Sequence, residues 1–148
     1  MIDSRAANVS EQSHAVKHHR SATLGRLTDM RILLVDDHPE VRSVLRVALS
    51  MRARLRVVGE ANSLAEAVEI AGQLHPDTIV LDLVLPDVGH MADAALAALQ
   101  QAAPMAEIVV YTGRESVRGL YEREGVPFFG KVSDSLNDLV DFLAANAA

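Results

Sequence analysis

The sequence predicts an α/β domain: a doubly wound, five-stranded parallel sheet covered by five helices, for which 2-1-3-4-5 is one of the two common strand orders. Two observations carry this. Short continuous apolar runs, the mark of strands buried on both faces, punctuate the chain from Arg31 onward. Between them lie stretches whose apolar residues recur at helical spacing, so strand and helix alternate as in parallel sheets. The chain has 148 residues, enough for one domain that buries a substantial core.

The elements follow in order. Ile32-Leu33-Leu34-Val35 reads as the first strand. Pro39 suits the first turn of a helix whose apolar face is Val41, Val44, Leu45 and Ala48. Leu55, Val57 and Val58 form a second strand ending near Gly59. Ser63 and Glu66 have capping-box spacing ahead of a stripe of Leu64, Ala67, Val68 and Ala71. Thr78-Ile79-Val80-Leu81 is the third strand, and an Ala-rich helix runs from about Met91 to Ala102. Ile108-Val109-Val110-Tyr111 is the fourth strand. Val117, Leu120 and Tyr121 suggest a short fourth helix that stops at Gly125. Phe128-Phe129 is a short fifth strand, and Leu136, Leu139, Val140 and Leu143 line a last helix.

Residues 1–29 differ from the rest. They carry a net charge of +1 and three of the six histidines, His14, His18 and His19, with weak apolar periodicity. They read as a flexible N-terminal extension, with the folded domain at 30–148. Composition then excludes several classes. The net charge of −6 argues against an electrostatic grip on nucleic acid or an anionic membrane. The absence of cysteine excludes disulfides, zinc–thiolate sites, iron–sulfur clusters and thiol nucleophiles. No apolar run reaches the roughly 18–20 residues of a membrane span, and no secretory signal opens the chain. A soluble, cytoplasmic protein is expected. There is no G-x-G-x-x-G and no P-loop pattern.

In a doubly wound sheet, ligands sit outside the carboxyl ends of the strands. Asp36 and Asp37 follow the first strand, Asp82 the third, Thr112 the fourth and Lys131 the fifth. Any one of these alone reads equally well as a helix cap, a turn residue or a solvated side chain. Together they bring three carboxylates, a hydroxyl and an ammonium to one edge. Three clustered carboxylates repel unless a cation shares their site, and Mg²⁺, an oxygen-seeking ion that is often completed by phosphate, fits. A carboxylate can itself take a phosphoryl group as an acyl phosphate.

The segments R-I-L-L-V-D-D-H-P-E-V-R, V-V-G-E-A, H-P-D-T-I-V-L-D-L-V-L-P-D, I-V-V-Y-T-G and P-F-F-G-K resemble the receiver domain of bacterial response regulators, a flavodoxin-like fold. The first half looks most like receivers of the NarL/FixJ type. The resemblance implies Asp82 as phosphoacceptor, with Asp36, Asp37 and Asp82 around Mg²⁺. It implies Thr112 and Lys131 as phosphoryl-binding groups and Phe128 as the switch aromatic, which turns inward as Thr112 moves. Glu115, Arg118, Glu122 and Phe128 are then candidate contacts for an output partner.

Three places depart from the family pattern. Val132 stands where receivers usually carry Pro, so a trans bond after Lys131 is expected. The span from Thr112 to Lys131 is a few residues short, and Gly89 comes one residue early. The expected function is a stand-alone receiver, not an enzyme acting on external substrate. It would be phosphorylated by a histidine kinase or histidine phosphotransfer protein and act on a downstream protein partner. With one helix after the fifth strand and no helix-turn-helix pattern, direct DNA binding is not expected. An interaction module that no longer switches by phosphorylation is the alternative. A phosphatase-like enzyme is disfavoured because Val84 occupies the place of its second Asp.

Overall fold

The computed structural model describes residues 29–147, so the extension read at residues 1–29 lies, but for Asp29, outside them. The elements are β1 (Met30–Val35), α1 (Pro39–Ser50), β2 (Leu55–Ala61), α2 (Leu64–Leu74), β3 (Thr78–Leu81), α3 (Ala92–Ala102), β4 (Glu107–Thr112), α4 (Arg118–Arg123, entered through a 3-10 turn at Glu115–Val117), β5 (Phe128–Gly130) and α5 (Leu136–Asn146). The strands form one parallel sheet, as the alternation of apolar runs predicts, and of the two common orders it takes β2-β1-β3-β4-β5.

Alternate strand residues point to opposite faces, and each face is covered by its own helices. Leu33, Val35, Ile79, Leu81 and Val110 pack with Ala67 and Ala71 of α2, with Leu96 and Leu99 of α3, and with Tyr121 and Phe128. Ile32, Leu34, Val80 and Val109 pack with Leu45 and Leu49 of α1 and Leu139, Val140 and Leu143 of α5. Burying each such leucine contributes roughly 1.5–3 kcal/mol.

Val44 corrects the predicted face of α1, for it is 55% exposed. The buried line runs through Leu45 and Leu49, with Val41 and Ala48 at its flank. At about 100° per residue, Val44 lies beyond the edge of that line. β2 also runs two residues past Gly59. Its register against β1 jumps between Ile32↔Val57 and Leu33↔Gly59, so Val58 is an inserted, unpaired residue. Gly59 lets α2 close onto the sheet, since a Cβ there would lie 3.1 Å from both Ile70 Cγ2 and Leu74 Cδ1.

Ser63 caps α2 as expected, its hydroxyl accepting from Glu66 N at 3.1 Å. The return bond falls one residue early: Glu66 Oε1 accepts from Asn62 N at 2.8 Å. The next two amides of that turn, Leu64 N and Ala65 N, donate to the Asp87 carboxylate at 2.8 and 3.0 Å. This ties the loop after β3 to α2, and the Leu64 bond leads in holding Asp87 below its ordinary pKa. α5 opens with a complete capping box of Ser135 and Asp138, which the sequence reading did not single out.

Candidate functional site

Backbone hydrogen bonds carry the strand ends slightly beyond the strands themselves. Asp36 N donates to Ala61 O at 3.0 Å, Asp82 N to Val35 O at 2.9 Å, and Lys131 N to Thr112 O at 2.9 Å. The residue after each of β1, β3 and β5 is thereby strapped to a neighbouring strand end, and these side chains emerge at one carboxyl edge.

Four of the residues singled out by sequence meet directly. The Thr112 hydroxyl donates to Asp82 Oδ1 at 2.8 Å, and Val84 N donates to the same oxygen at 3.0 Å. Lys131 Nζ donates to Asp36 Oδ2 at 2.6 Å and to Asp82 Oδ2 at 3.1 Å. Asp36 and Asp82 are each 2% exposed, so one ammonium sits between two buried carboxylates. Burial alone draws the Lys131 pKa down, but the Asp36 hydrogen bond and the charges of Asp82 and Asp36 outweigh it and raise the pKa. Lys131 Nζ also lies 5.7 Å from the Tyr111 ring centre.

Asp37 completes the acidic group. Its Oδ1 is buried and accepts no hydrogen bond from the described residues. His38 Nδ1 lies 3.0 Å from that oxygen without hydrogen-bond geometry, and 3.1 Å from Asp36 Oδ1. Donor atoms of Asp36, Asp37, His38 and Asp82 all fall within 4.8 Å of one another. A buried acceptor with no donor, among oxygens this close, is what a hard divalent cation would satisfy, so the residues fit Mg²⁺. His38 serves as the N-cap residue of α1. It also reaches the cluster, and the Asp36 hydrogen bond, followed by the Asp37 charge, raises its pKa.

The corner beside Lys131 differs from expectation. Phe128 is 4% exposed, stacked on Tyr121 at 6.1 Å, with the Arg118 guanidinium 5.0 Å from its ring centre. Phe128 is thus already inside, and Thr112 already meets Asp82, with the carboxylate unmodified. Arg118 pairs with Asp134 and Glu122, and Asp134 Oδ2 accepts from Gly130 N at 2.8 Å. The Glu115 carboxylate accepts from Val132 N, Ser133 N and the Ser133 hydroxyl. Glu115 and Arg118, read from sequence as partner contacts, therefore hold the loop after β5. Their acid–base spacing resembles any solvated helix surface, so no local signal marks them. Arg114 sends its guanidinium to Gly89 O at 3.4 Å, not to the cluster.

These bonds give the loop a pH dependence. The Ser133 hydroxyl and the Val132 amide lower the Glu115 pKa from 4.5, and the Gly130 amide and Arg118 lower that of Asp134 from 3.8. A depressed carboxylate contributes its stability above its unfolded-state pKa and loses it as pH falls through the folded-state value. The Val132 and Ser133 amide resonances should therefore hold steady down to at least pH 4.5, and the Gly130 amide resonance down to at least pH 3.8, each shifting only below that. Resonances that stay unchanged until the whole protein unfolds in acid would show that these bonds are not made in solution.

The chain is similar in sequence and fold to known proteins. A family model of the response regulator receiver domain matches residues 32–124. Protein-glutamate methylesterase/protein-glutamine glutaminase 5 of Myxococcus xanthus is 38% identical over 90 residues, covering 61% of this chain and 26% of that protein. The nitrate/nitrite response regulator NarL of Escherichia coli is 37% identical over 81 residues, covering 55% of this chain and 37% of that protein. The chain thus spans well under half the length of these curated relatives. A two-component response regulator of the LuxR family from Aurantimonas sp. superposes with a TM-score of 0.69 at 34% identity, over 80% of this chain and 85% of that one. The response regulator domain of Thermotoga maritima CheB does so at 0.66 and 23% identity, over 80% and 93%, a likeness of fold. With the matched segment running from β1 into α4, and this sheet order behind the acidic edge, the chain belongs to the response regulator receiver domain family.

Proposed function

We propose that this receiver takes a phosphoryl group from a histidine kinase or histidine phosphotransfer protein onto Asp82, with Mg²⁺, and signals through contact with a downstream protein. The observation that carries the reading is the convergence on Asp82 of the Thr112 hydroxyl and the Lys131 ammonium, beside an Asp37 oxygen with no hydrogen-bond donor among the described residues.

The chemistry follows from these groups. An Asp82 oxygen attacks phosphorus as the donor's phosphorus–nitrogen bond breaks, and the electron pair leaves with the donor imidazole. The product is an acyl phosphate on Asp82. Asp36, Asp37 and Asp82 would hold Mg²⁺, which when bound neutralises charge on the phosphoryl oxygens. Thr112 and Lys131 exchange their bonds to Asp82 for charge-assisted bonds to those oxygens. The unmodified carboxylate already orients both donors, so little reorganisation accompanies transfer. The altered loop after Lys131 motivates the alternative, a module that no longer switches. Lys131 nevertheless reaches both Asp36 and Asp82, which favours the phosphoryl reading.

The test is intact mass after incubation with acetyl phosphate and Mg²⁺. Wild type should gain one phosphoryl group, and its melting temperature should rise with Mg²⁺ alone. Binding stabilises by about 2.7 kcal/mol at a hundredfold excess over Kd. No added mass, under conditions that label another receiver, would sink the proposal, and an unchanged melt would remove the metal from it.

A further inference from the structure

Lys131 must deliver its ammonium to a point between two buried carboxylates, yet it stands where the sheet has ended. On one side its backbone is fixed, because its N–H donates to Thr112 O at 2.9 Å. On the other, the chain turns away before α5 begins. The next two amides, Val132 N and Ser133 N, both donate to Glu115 Oε2, at 2.7 and 3.1 Å. The Ser133 hydroxyl donates to Glu115 Oε1. Both oxygens of one carboxylate are thus engaged by the two residues that follow the lysine. The residue before it is fitted to the same side chain: a Cβ on Gly130 would lie 2.2 Å from Glu115 Cδ. The Val132 side chain is 85% exposed, so what residue 132 brings to this contact is its N–H.

We infer that Glu115 is a positioning residue for Lys131, fixing the backbone from which Nζ reaches Asp82 and an incoming phosphoryl group. The inference rests on Asp82 being the phosphoacceptor. Glu115 makes its own hydrogen bonds to the loop and none to the acidic cluster, so its effect must pass through the lysine. It comes three residues after Thr112 in sequence. It therefore joins the segment that carries the hydroxyl to the segment that carries the ammonium, the two donors that must face one phosphoryl group together.

The experiment is a double-mutant cycle on the full chain at saturating Mg²⁺, with acetyl phosphate as donor. Glu115→Ala should slow phosphorylation on the order of tenfold, the scale of a donor displaced by a fraction of an ångström. Glu115→Gln, which keeps an acceptor oxygen, should recover most of the rate. In a Lys131→Met background, Glu115→Ala should change the rate by less than about twofold, because the group it positions is gone. An equal loss in both backgrounds would overturn the inference and leave Glu115 a general loop staple.

A second readout is independent of phosphorylation. The chain contains only two lysines, Lys17 and Lys131, so the Lys131 ε-methylene carbon resonance is identified by its loss in Lys131→Met. It should move toward the shift of a solvated lysine in Glu115→Ala and stay in place in Glu115→Gln. A resonance unmoved in Glu115→Ala would overturn the inference whatever the phosphorylation rates. Failure of wild type to take phosphate would instead overturn the reading of Asp82, and with it any role for Glu115 in phosphoryl transfer.

Discussion

Asp82→Asn is expected to gain no phosphoryl mass from acetyl phosphate, while unfolding at or above the wild-type temperature in metal-free buffer. The two effects have one cause. The carboxylate that attacks phosphorus is also a charge buried to 2% exposure, sharing one ammonium with an equally buried Asp36. The amide keeps an acceptor oxygen for the Thr112 hydroxyl and Val84 N, and leaves Lys131 to pair with Asp36 alone. Removing one of the two carboxylates that share the Lys131 ammonium should stabilise by about 1–2 kcal/mol. Denaturant unfolding without metal, paired with intact mass, checks both halves. Labelling of Asp82→Asn at the wild-type level would move the phosphoacceptor elsewhere. A large loss of stability would show that the Asp82 charge holds the site together rather than straining it.

Lys131→Met carries the opposite sign. It keeps the length and apolar body of the side chain and deletes the only cation that contacts Asp36 and Asp82 among the described residues. Leaving buried Asp82 without a cation, and buried Asp36 with only its His38 contact, should cost about 3–5 kcal/mol at neutral pH without metal. Millimolar Mg²⁺ should return much of that stability, since a divalent ion supplies the missing charge, and should raise the mutant's midpoint more than the wild type's. Urea unfolding with and without Mg²⁺ is the measurement. An equal deficit in both conditions would mean that packing, not charge, was lost.

Sequence made the strands and their carboxyl edge readable because each buried strand is a continuous apolar run that stops at a polar residue. Asp36, Asp82, Thr112 and Lys131 each follow such a run, and the doubly wound topology brings the ends of distant runs together. What stayed hidden depends on contacts between segments. The period of α1 was legible but not the centre of its stripe, so Val44 was read as core when Leu45 and Leu49 define the buried line. The bulge at Val58 leaves no mark in a run of Leu55, Val57 and Val58. Nothing in the sequence singles out Asp87, whose role at the start of α2 appears only once the loop after β3 lies against that helix. Glu115 and Arg118 look like solvated helix charges until the loop after β5 is laid beside them.

The grip on residues 132 and 133 also governs which sequences this loop accepts. The Val132 side chain is 85% exposed, so size, shape and polarity there are almost unconstrained, while the backbone hydrogen is required by Glu115. Every residue type but proline supplies that hydrogen. The tolerance profile of the position is therefore inverted relative to receivers that carry proline after the lysine: their usual residue is the one this chain rejects. Drift between the two forms cannot pass through position 132 alone. A chain that acquires proline there loses the Val132 bond to Glu115, and a chain that loses Glu115 no longer needs Gly130 to be small. The three positions should vary together, as a unit, wherever this form of the loop recurs.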